Sequence, residues 1–192
     1  MSHYRYLACL DFEANCVEGG KLYPQEIIEV PIVIYDVKNQ RIDPSKQFHA
    51  YCRPTIPLTP FCTQLTGITQ DQVDAAESFP VVLKRLDEWI QRHRFNTSNL
   101  LLVTHGSWDL QMAFPAQCAH TTSPIRPLFR TWCNIKKLVG CKIHGLDNML
   151  RSYNLTFDGR AHSGIVDATN LARLVDVMVR QGITFHPTNR FK

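Results

Sequence analysis

The 192-residue sequence has no apolar run long enough to span a membrane, and its N-terminus has no signal-peptide hydrophobic region. It also has no internal repeat, low-complexity tract or linker, so we expect a single domain over residues 1–192. None of the seven cysteines forms a Cys-x-x-Cys pair, which argues against a zinc knuckle or a thioredoxin-like motif. We therefore expect reduced thiols in an intracellular protein, cytoplasmic or nuclear, that is not secreted and has no membrane partner.

A strong excess of charge of one sign is also missing. Lys and Arg number 21 against 17 Asp and Glu, which gives a net charge of +4. Such a mildly basic chain can bind a polyanion such as a nucleic acid, but its charge does not require one. The hydrophobic content of 44% is typical of a folded chain with a sizeable core rather than a disordered one.

The N-terminal part has the pattern of a strand meander. Residues 6–11, 26–36 and 47–53 are apolar or alternating segments rich in residues that favour strands, with a turn at 39–41 between the last two. Pro31 lies within the second segment and indicates an edge position or a bulge there.

Helices alternate with a buried strand in the rest of the chain. Thr69 and Gln72 form a capping box that predicts a helix over residues 70–76, and Ser78 is expected to cap a longer amphipathic helix. Residues 100–104 predict a central strand and residues 146–153 another helix. Ser163 is expected to cap the last helix, which ends at Gly182. The chain is therefore predicted to be an α/β protein.

Four acidic residues lie at positions that suggest one shared site. Asp11 and Glu13 end the first strand and, because strand side chains alternate, they point to the same face. Asp109 follows the strand at 100–104 as the chain enters a helix, and Asp167 lies in the first turns of the last helix. Four carboxylates brought together repel each other unless divalent cations bind between them. This ligand set is typical of a two-metal phosphoryl-transfer site.

His162 precedes the last helix on a loop that contains Gly159. An imidazole with a near-neutral pKa can accept a proton from an attacking water, so His162 is predicted as the general base and Glu13 as a second catalytic residue. Each signal alone has an ordinary structural explanation. Asp11 and Glu13 could be solvated carboxylates at a strand end, Asp109 could interact favourably with a helix dipole, and His162 could be a surface histidine. Their joint occurrence predicts hydrolysis of a phosphodiester.

Four segments carry a resemblance to a known family: residues 10–16 (LDFEANC), 61–70 (FCTQLTGITQ), 106–109 (GSWD) and 158–164 (DGRAHSG). They resemble the DEDDh superfamily of 3′–5′ exonucleases, and most of all its histone-mRNA and RNAi-modulating exoribonuclease subgroup. The resemblance implies an RNase H-like fold, a mixed central sheet flanked by helices. It also implies two divalent ions, Mg²⁺ or Mn²⁺, and release of 5′-mononucleotides from RNA with a free 3′ end. Its five motif positions fall on Asp11, Glu13, Asp109, His162 and Asp167.

The resemblance also implies the substrate contacts. Leu65 and Ile68 would pack on the terminal base, Trp108 would line the same pocket, and the backbone at Ala14 and Asn15 would approach the terminal sugar. Two alternatives remain at this stage. The chain could be a DNA 3′–5′ exonuclease of the same superfamily. It could also be an inactive RNA-binding or scaffolding relative, although the five intact site residues argue against this.

Overall fold

The computed structural model describes residues 3–140 and 142–191 and is built on one mixed β-sheet. Cys141 lies outside the described residues, and the other six cysteines have free thiols. The strands are β1 (Tyr6–Leu10), β2 (Glu13–Ala14), β3 (Ile27–Asp36), β4 (Arg41–Ile42), β5 (Phe48–Arg53), β6 (Glu77–Ser78), β7 (Leu100–Thr104), β8 (Thr131–Asn134) and β9 (Asn189–Arg190).

The helices connect and cover the strands. They are α1 (Pro60–Thr66), α2 (Gln70–Asp74), α3 (Phe79–Arg92), α4 (Phe114–His120), α5 (Ile135–Leu138), α6 (Leu146–Ser152) and α7 (Gly164–Arg180). Short 3₁₀ turns occur at Pro44–Lys46 and Pro127–Arg130, and a π-helical turn spans Trp108–Ala113. Among these helices, none combines the length and the apolar character that crossing a membrane demands.

The sheet has the strand order β6-β5-β3-β1-β7-β8-β9, with β2 and β4 also paired to β3. In its centre β1 runs antiparallel to β3 and parallel to β7, which in turn runs parallel to β8. The carboxyl ends of β1, β7 and β8 therefore lie at one edge of the sheet, where ligand sites of α/β proteins usually form.

Two apolar layers enclose the sheet because the side chains of β1 alternate between its faces. Ala8 and Leu10 pack with buried residues of α3 and α4 on one face. Leu7 and Cys9 pack with buried residues of α6 and α7 on the other. The prediction of an α/β fold with a mixed sheet flanked by helices is confirmed. The strand predicted at residues 100–104 is buried throughout, as expected for an interior strand.

Pro31 was predicted to lie at a sheet edge or a bulge, and the structure differs from this prediction. Strand β3 pairs with β5 on one side and with β1 and β2 on the other, so the proline is not at an edge. The β1 ladder ends at the pair Leu10–Ile32, and the β2 ladder begins at Glu13–Glu29. Pro31 lies opposite the gap between them, where the neighbouring ladder is interrupted and a missing N–H is tolerated. The register irregularity of this strand lies opposite Glu13 and Ala14 instead.

The predicted helix caps differ in their contacts. The capping box is present: the Thr69 hydroxyl accepts from the Gln72 N–H, and the Gln72 side chain accepts from the Thr69 N–H. Ser78 and Ser163 occupy the N-cap positions of α3 and α7, but neither side chain makes a capping hydrogen bond. Helix α1 was not predicted, although Thr59 and Pro60 are typical of a helix start.

These contacts lead to a stability prediction with an internal control. Thr69→Ala should lower the free energy of unfolding by about 1 kcal/mol because it leaves an N-terminal amide of α2 without its acceptor. Ser78→Ala, also at a helix N-cap, should change it little. Urea denaturation of the two variants checks this, and equal losses would contradict the capping assignment.

Candidate active site

The four predicted acidic residues lie at the carboxyl edge of the parallel strands. Asp11 follows β1 directly, and Glu13 begins β2. Phe12 packs in the core on the α3 and α4 face, so the two carboxylates point to the opposite face, where α7 packs. Ligand atoms of Asp11, Glu13 and Asp167 all lie within 4.8 Å of one another. Asp11 and Glu13, which are close in sequence, therefore form one cluster with the distant Asp167.

Asp109 supports this cluster from the neighbouring strand. The turn after β7 carries it in the π-helical segment, where it is only 4% exposed. Its Oδ1 accepts the backbone N–H of Phe12 at 2.8 Å, which ties it to the segment between Asp11 and Glu13. Its charge acts on both of these residues. Asp109 lies outside the three-residue group that the described side chains form within 4.8 Å.

Asp167 and His162 come from the start of α7. Asp167 is 6% exposed, and the backbone N–H groups of His162 and Ser163 stabilise its carboxylate. The backbone of His162 has φ of +63°, a conformation that is strained for a residue with a side chain, and its imidazole is exposed. Such strain is often found at functional positions. The imidazole is not part of the carboxylate group formed by the described residues.

Burial raises the pKa of all four carboxyl groups, and the charges of neighbouring carboxylates add to the rise for Asp11, Glu13 and Asp167. Desolvation raises the pKa of Glu13 to about 9, helped by the charges of Asp167, Glu29 and Asp109. Desolvation likewise raises the pKa of Asp109 and of Asp167 to about 6, and in both cases backbone N–H groups oppose the rise. The pKa of Asp11 is raised well above its usual value by burial and by the charges around it. A cation bound among these groups would attract the charged carboxylates and so lower their pKa values.

The donor set fits hard divalent cations. All the candidate ligands are carboxylate oxygens, which Mg²⁺ and Mn²⁺ prefer. Among the described residues, Oδ2 of Asp167 is buried and has no hydrogen-bond partner, which leaves it available to a cation. The cluster is therefore suited to a divalent metal.

The predicted substrate contacts differ widely in exposure. Trp108 is 39% exposed on the π-helical turn beside Asp109, and Leu65 is half-buried in the last turn of α1. Ile68 is 3% exposed and packs with Ile28, Cys62 and Val73. The apolar surface open to a base is therefore that of Trp108 and Leu65.

Ala14 and Asn15 are both buried. The Asn15 side chain donates to the Pro57 carbonyl, and its backbone N–H donates to the Glu26 carbonyl. The side chain of Asn15 therefore fixes the neighbouring loop.

Arg160 lies in the motif at residues 158–164, but the sequence did not predict a role for it. Its guanidinium donates to the backbone carbonyl of Gln64 at 2.6 Å and lies against Gly67, where a Cβ would come within 2.5 Å of it. It thus joins the loop that carries His162 to the end of α1 that carries Leu65. Since Arg160 is otherwise an ordinary exposed cation, its sequence context gave no sign of this contact.

These site residues lie within a region that is similar to known proteins. A family model described as exonuclease matches residues 8–175, a range that includes the four carboxylates and His162. The chain belongs to this exonuclease family. The predicted resemblance is confirmed, and the acidic cluster lies where the β-sheet and α7 of an exonuclease domain meet.

Named relatives of the exonuclease family are similar over nearly the whole chain. Human ERI1 exoribonuclease 3 is 38% identical over 97% of this chain and 57% of its own length. Human 3′-5′ exoribonuclease 1 is 38% identical over 94% of this chain and 54% of its own length. The chain thus spans little more than half the length of these relatives. The crystallographic structure of the nuclease domain of 3′hExo, a DEDDh family member, bound to rAMP, superimposes with a TM-score of 0.93. It is 36% identical, and the match covers 99% of both chains.

The raised pKa values of these carboxyl groups predict how stability depends on pH. Unfolded carboxyl groups have pKa values near 4. The stability that the folded state gains by holding these protons is full below about pH 4, and it is lost as pH rises through about 6 and then about 9. In chelator, the melting temperature should therefore fall between pH 7 and 8.5. The melting temperature of the wild type should fall more steeply than the melting temperature of the Glu13→Gln variant, by roughly 3–5 °C per pH unit. Differential scanning calorimetry measures both curves, and parallel curves would contradict the raised pKa of Glu13.

Proposed function

We propose that the chain is a metal-dependent 3′–5′ exoribonuclease that releases 5′-mononucleotides from RNA with a free 3′ end. The observation that carries this proposal is the meeting of Asp11, Glu13 and Asp167 within 4.8 Å, with Asp109 beside them. Membership in the exonuclease family and the similarity to named exoribonucleases support it.

The carboxylates of Asp11, Glu13 and Asp167 would hold the divalent ions, with Asp109 as the fourth acidic ligand. We propose Mg²⁺ or Mn²⁺, because carboxylate oxygens are their preferred ligands. When bound, these ions supply positive charge that stabilises the charge developing on the phosphate and the leaving 3′-oxygen. The protein fixes the geometry: Asp11 directly follows β1, Glu13 begins β2, and Asp167 lies on α7.

His162 is proposed as the group that takes the proton from the attacking water. It lies at the start of α7, where its own backbone N–H contacts Asp167. Its side chain is exposed and so is open to a bound substrate. An imidazole is suited to this step because its ordinary pKa lies near the working pH.

Terminal-base binding is proposed for Trp108, Leu65 and Ile68, of which Ile68 is the most buried. An aromatic ring beside a phosphate site can stack on any base, so we expect little sequence preference. The backbone at Ala14 and Asn15 is proposed to approach the terminal sugar, whose 2′-hydroxyl distinguishes RNA from DNA.

The proposal is tested with end-labelled single-stranded RNA and DNA in parallel, with 3′-hydroxyl or blocked 3′ ends. We expect stepwise release of 5′-mononucleotides from RNA with a free 3′ end, dependent on Mg²⁺ or Mn²⁺, and no release by Asp11→Asn. Faster digestion of DNA would instead favour a DNA exonuclease. Internal cleavage of blocked RNA at a similar rate would contradict an exonuclease. Binding without any cleavage would favour an inactive relative.

A second prediction concerns the general base. His162→Ala should lower the turnover of RNA by roughly 10²–10⁴-fold, because proton transfer by a positioned side chain contributes that much. The carboxylates remain, so calorimetric titration should still detect Mn²⁺ binding. Joint loss of metal binding and activity would show that the histidine has a different role.

A third prediction concerns the exposed tryptophan. Base stacking contributes about 1–3 kcal/mol per base, so Trp108→Ala should weaken RNA binding by about 5–150-fold with a smaller effect on the single-turnover rate. Trp108→Phe keeps an aromatic face and should recover much of the affinity. Titration of RNA against enzyme in Ca²⁺, followed by single-turnover assays in Mg²⁺, separates the two effects. A wild-type affinity of Trp108→Ala would exclude stacking on this ring.

A further inference from the structure

Glu29 is a buried carboxylate inside the longest and most continuously buried strand of the described sheet. All ten residues of β3 are buried, and Glu29 is only 1% exposed. A charge in such a place is costly unless it is paired and hydrogen-bonded. The hydrogen-bond partners of its side chain therefore indicate its role, and all the partners among the described residues lie outside β3.

Two of these partners are the first two amides of helix α7. Oε2 of Glu29 accepts the N–H of Gly164 at 2.9 Å, and Oε1 accepts the N–H of Ile165 at 3.1 Å. Nε2 of His49 lies 2.8 Å from the same Oε1. The first N–H groups of a helix have no acceptor within the helix, and its N-terminus attracts negative charge. Glu29 thus acts as the cap that the Ser163 side chain does not provide.

Gly164 shows how closely α7 approaches the sheet at this point. A Cβ on this residue would lie 2.8 Å from the carbonyl oxygen of Asp11 and 2.9 Å from Oε2 of Glu29. The helix start therefore lies directly on the end of β1. Asp167 follows one turn later and His162 precedes by two residues, so this contact sets where both lie relative to Asp11.

Both oxygens of Glu29 are already occupied by donors, which argues against a role as a metal ligand. It is also absent from the carboxylate group that the described residues form within 4.8 Å. We propose that Glu29 is a positioning residue: by capping α7 it fixes Asp167 and His162 in register with Asp11 and Glu13. This inference rests on the proposed function of the same site.

The experiment compares Glu29→Leu and Glu29→Gln with Tyr35→Phe as a matched control. Tyr35 also lies on β3 and also joins it to α7, through a hydrogen bond of its hydroxyl to Asp176 at 2.8 Å, but near the other end of the helix. Two readouts are taken. Amide hydrogen exchange of Gly164 and Ile165 reports the cap without any metal. Steady-state assays on RNA at saturating Mn²⁺ report kcat and KM separately.

Glu29→Leu should speed exchange of both amides and lower kcat by roughly 10–100-fold with KM little changed, as for other groups that orient metal ligands. Glu29→Gln keeps one carbonyl acceptor and should lose less in both readouts. Tyr35→Phe should keep wild-type exchange at these amides and wild-type kcat. This ordering supports the positioning role.

Wild-type kcat of Glu29→Leu would overturn the proposal. If Glu29→Leu does not fold, Gly164→Ala tests the same junction without changing any charge. Its Cβ must push α7 away from Asp11, and an unchanged kcat there would also overturn the proposal. Failure of the wild-type protein to release nucleotides would instead contradict the proposed function, whereas the exchange comparison would still decide the cap.

Discussion

Repulsion among buried carboxylates is the constraint on which the structure around the site depends. Five acidic side chains act on one another where β1, β3 and the turn after β7 face the start of α7: Asp11, Glu13, Glu29, Asp109 and Asp167. Taken together without partners, they would oppose folding. Backbone N–H groups donate hydrogen bonds to three of them. Phe12 donates to Asp109, the first residues of α7 donate to Glu29, and the residues just before α7 donate to Asp167. Asp11 and Glu13 carry the largest upward pKa shifts, which is where cations would bring the greatest relief.

A local break in the sheet makes this arrangement possible. Asp11 and Phe12 leave the ladder between β1 and β2, so the Phe12 N–H is available to Asp109. Pro31 lies opposite this gap, where its missing N–H costs little. The same break lets the Asp11 carbonyl meet Gly164 of α7. One interruption of strand pairing therefore brings β3, the turn after β7 and the last helix into contact with the acidic pair.

The modest net charge of +4 is consistent with a site that binds its substrate locally. A short-range combination of metal ions for the phosphate and an aromatic face for the base does not need a broad basic surface. Trp108 lies next to Asp109 on the same π-helical turn, so the proposed base contact and the acidic cluster share one backbone segment. Arg160 links the His162 loop to α1 and thereby joins the proposed catalytic and base-binding sides.

Sequence patterns alone determined the class of the fold and the candidate ligands. Apolar periodicity predicted the main strands and the long helices, because side-chain alternation and amphipathic spacing are local properties. Period-two geometry predicted that Asp11 and Glu13 share a face and that Phe12 enters the core. The capping box at Thr69 was also predicted correctly, since both of its partners lie within one turn. The motif positions indicated the exonuclease family.

Tertiary structure decided what depends on distant partners. Pro31 was expected at an edge or a bulge, because a sequence does not show that the neighbouring strand is interrupted beside it. Ser163 was expected to cap α7, but Glu29, 135 residues before Gly164, approaches closely enough to take both amides. The contacts of Ile68 and of the Asn15 backbone with the substrate stay predictions, and the folded chain adds that both residues are buried. A glutamate within an apolar strand was the sequence signal of the missed contact, and only the folded chain could supply its partner.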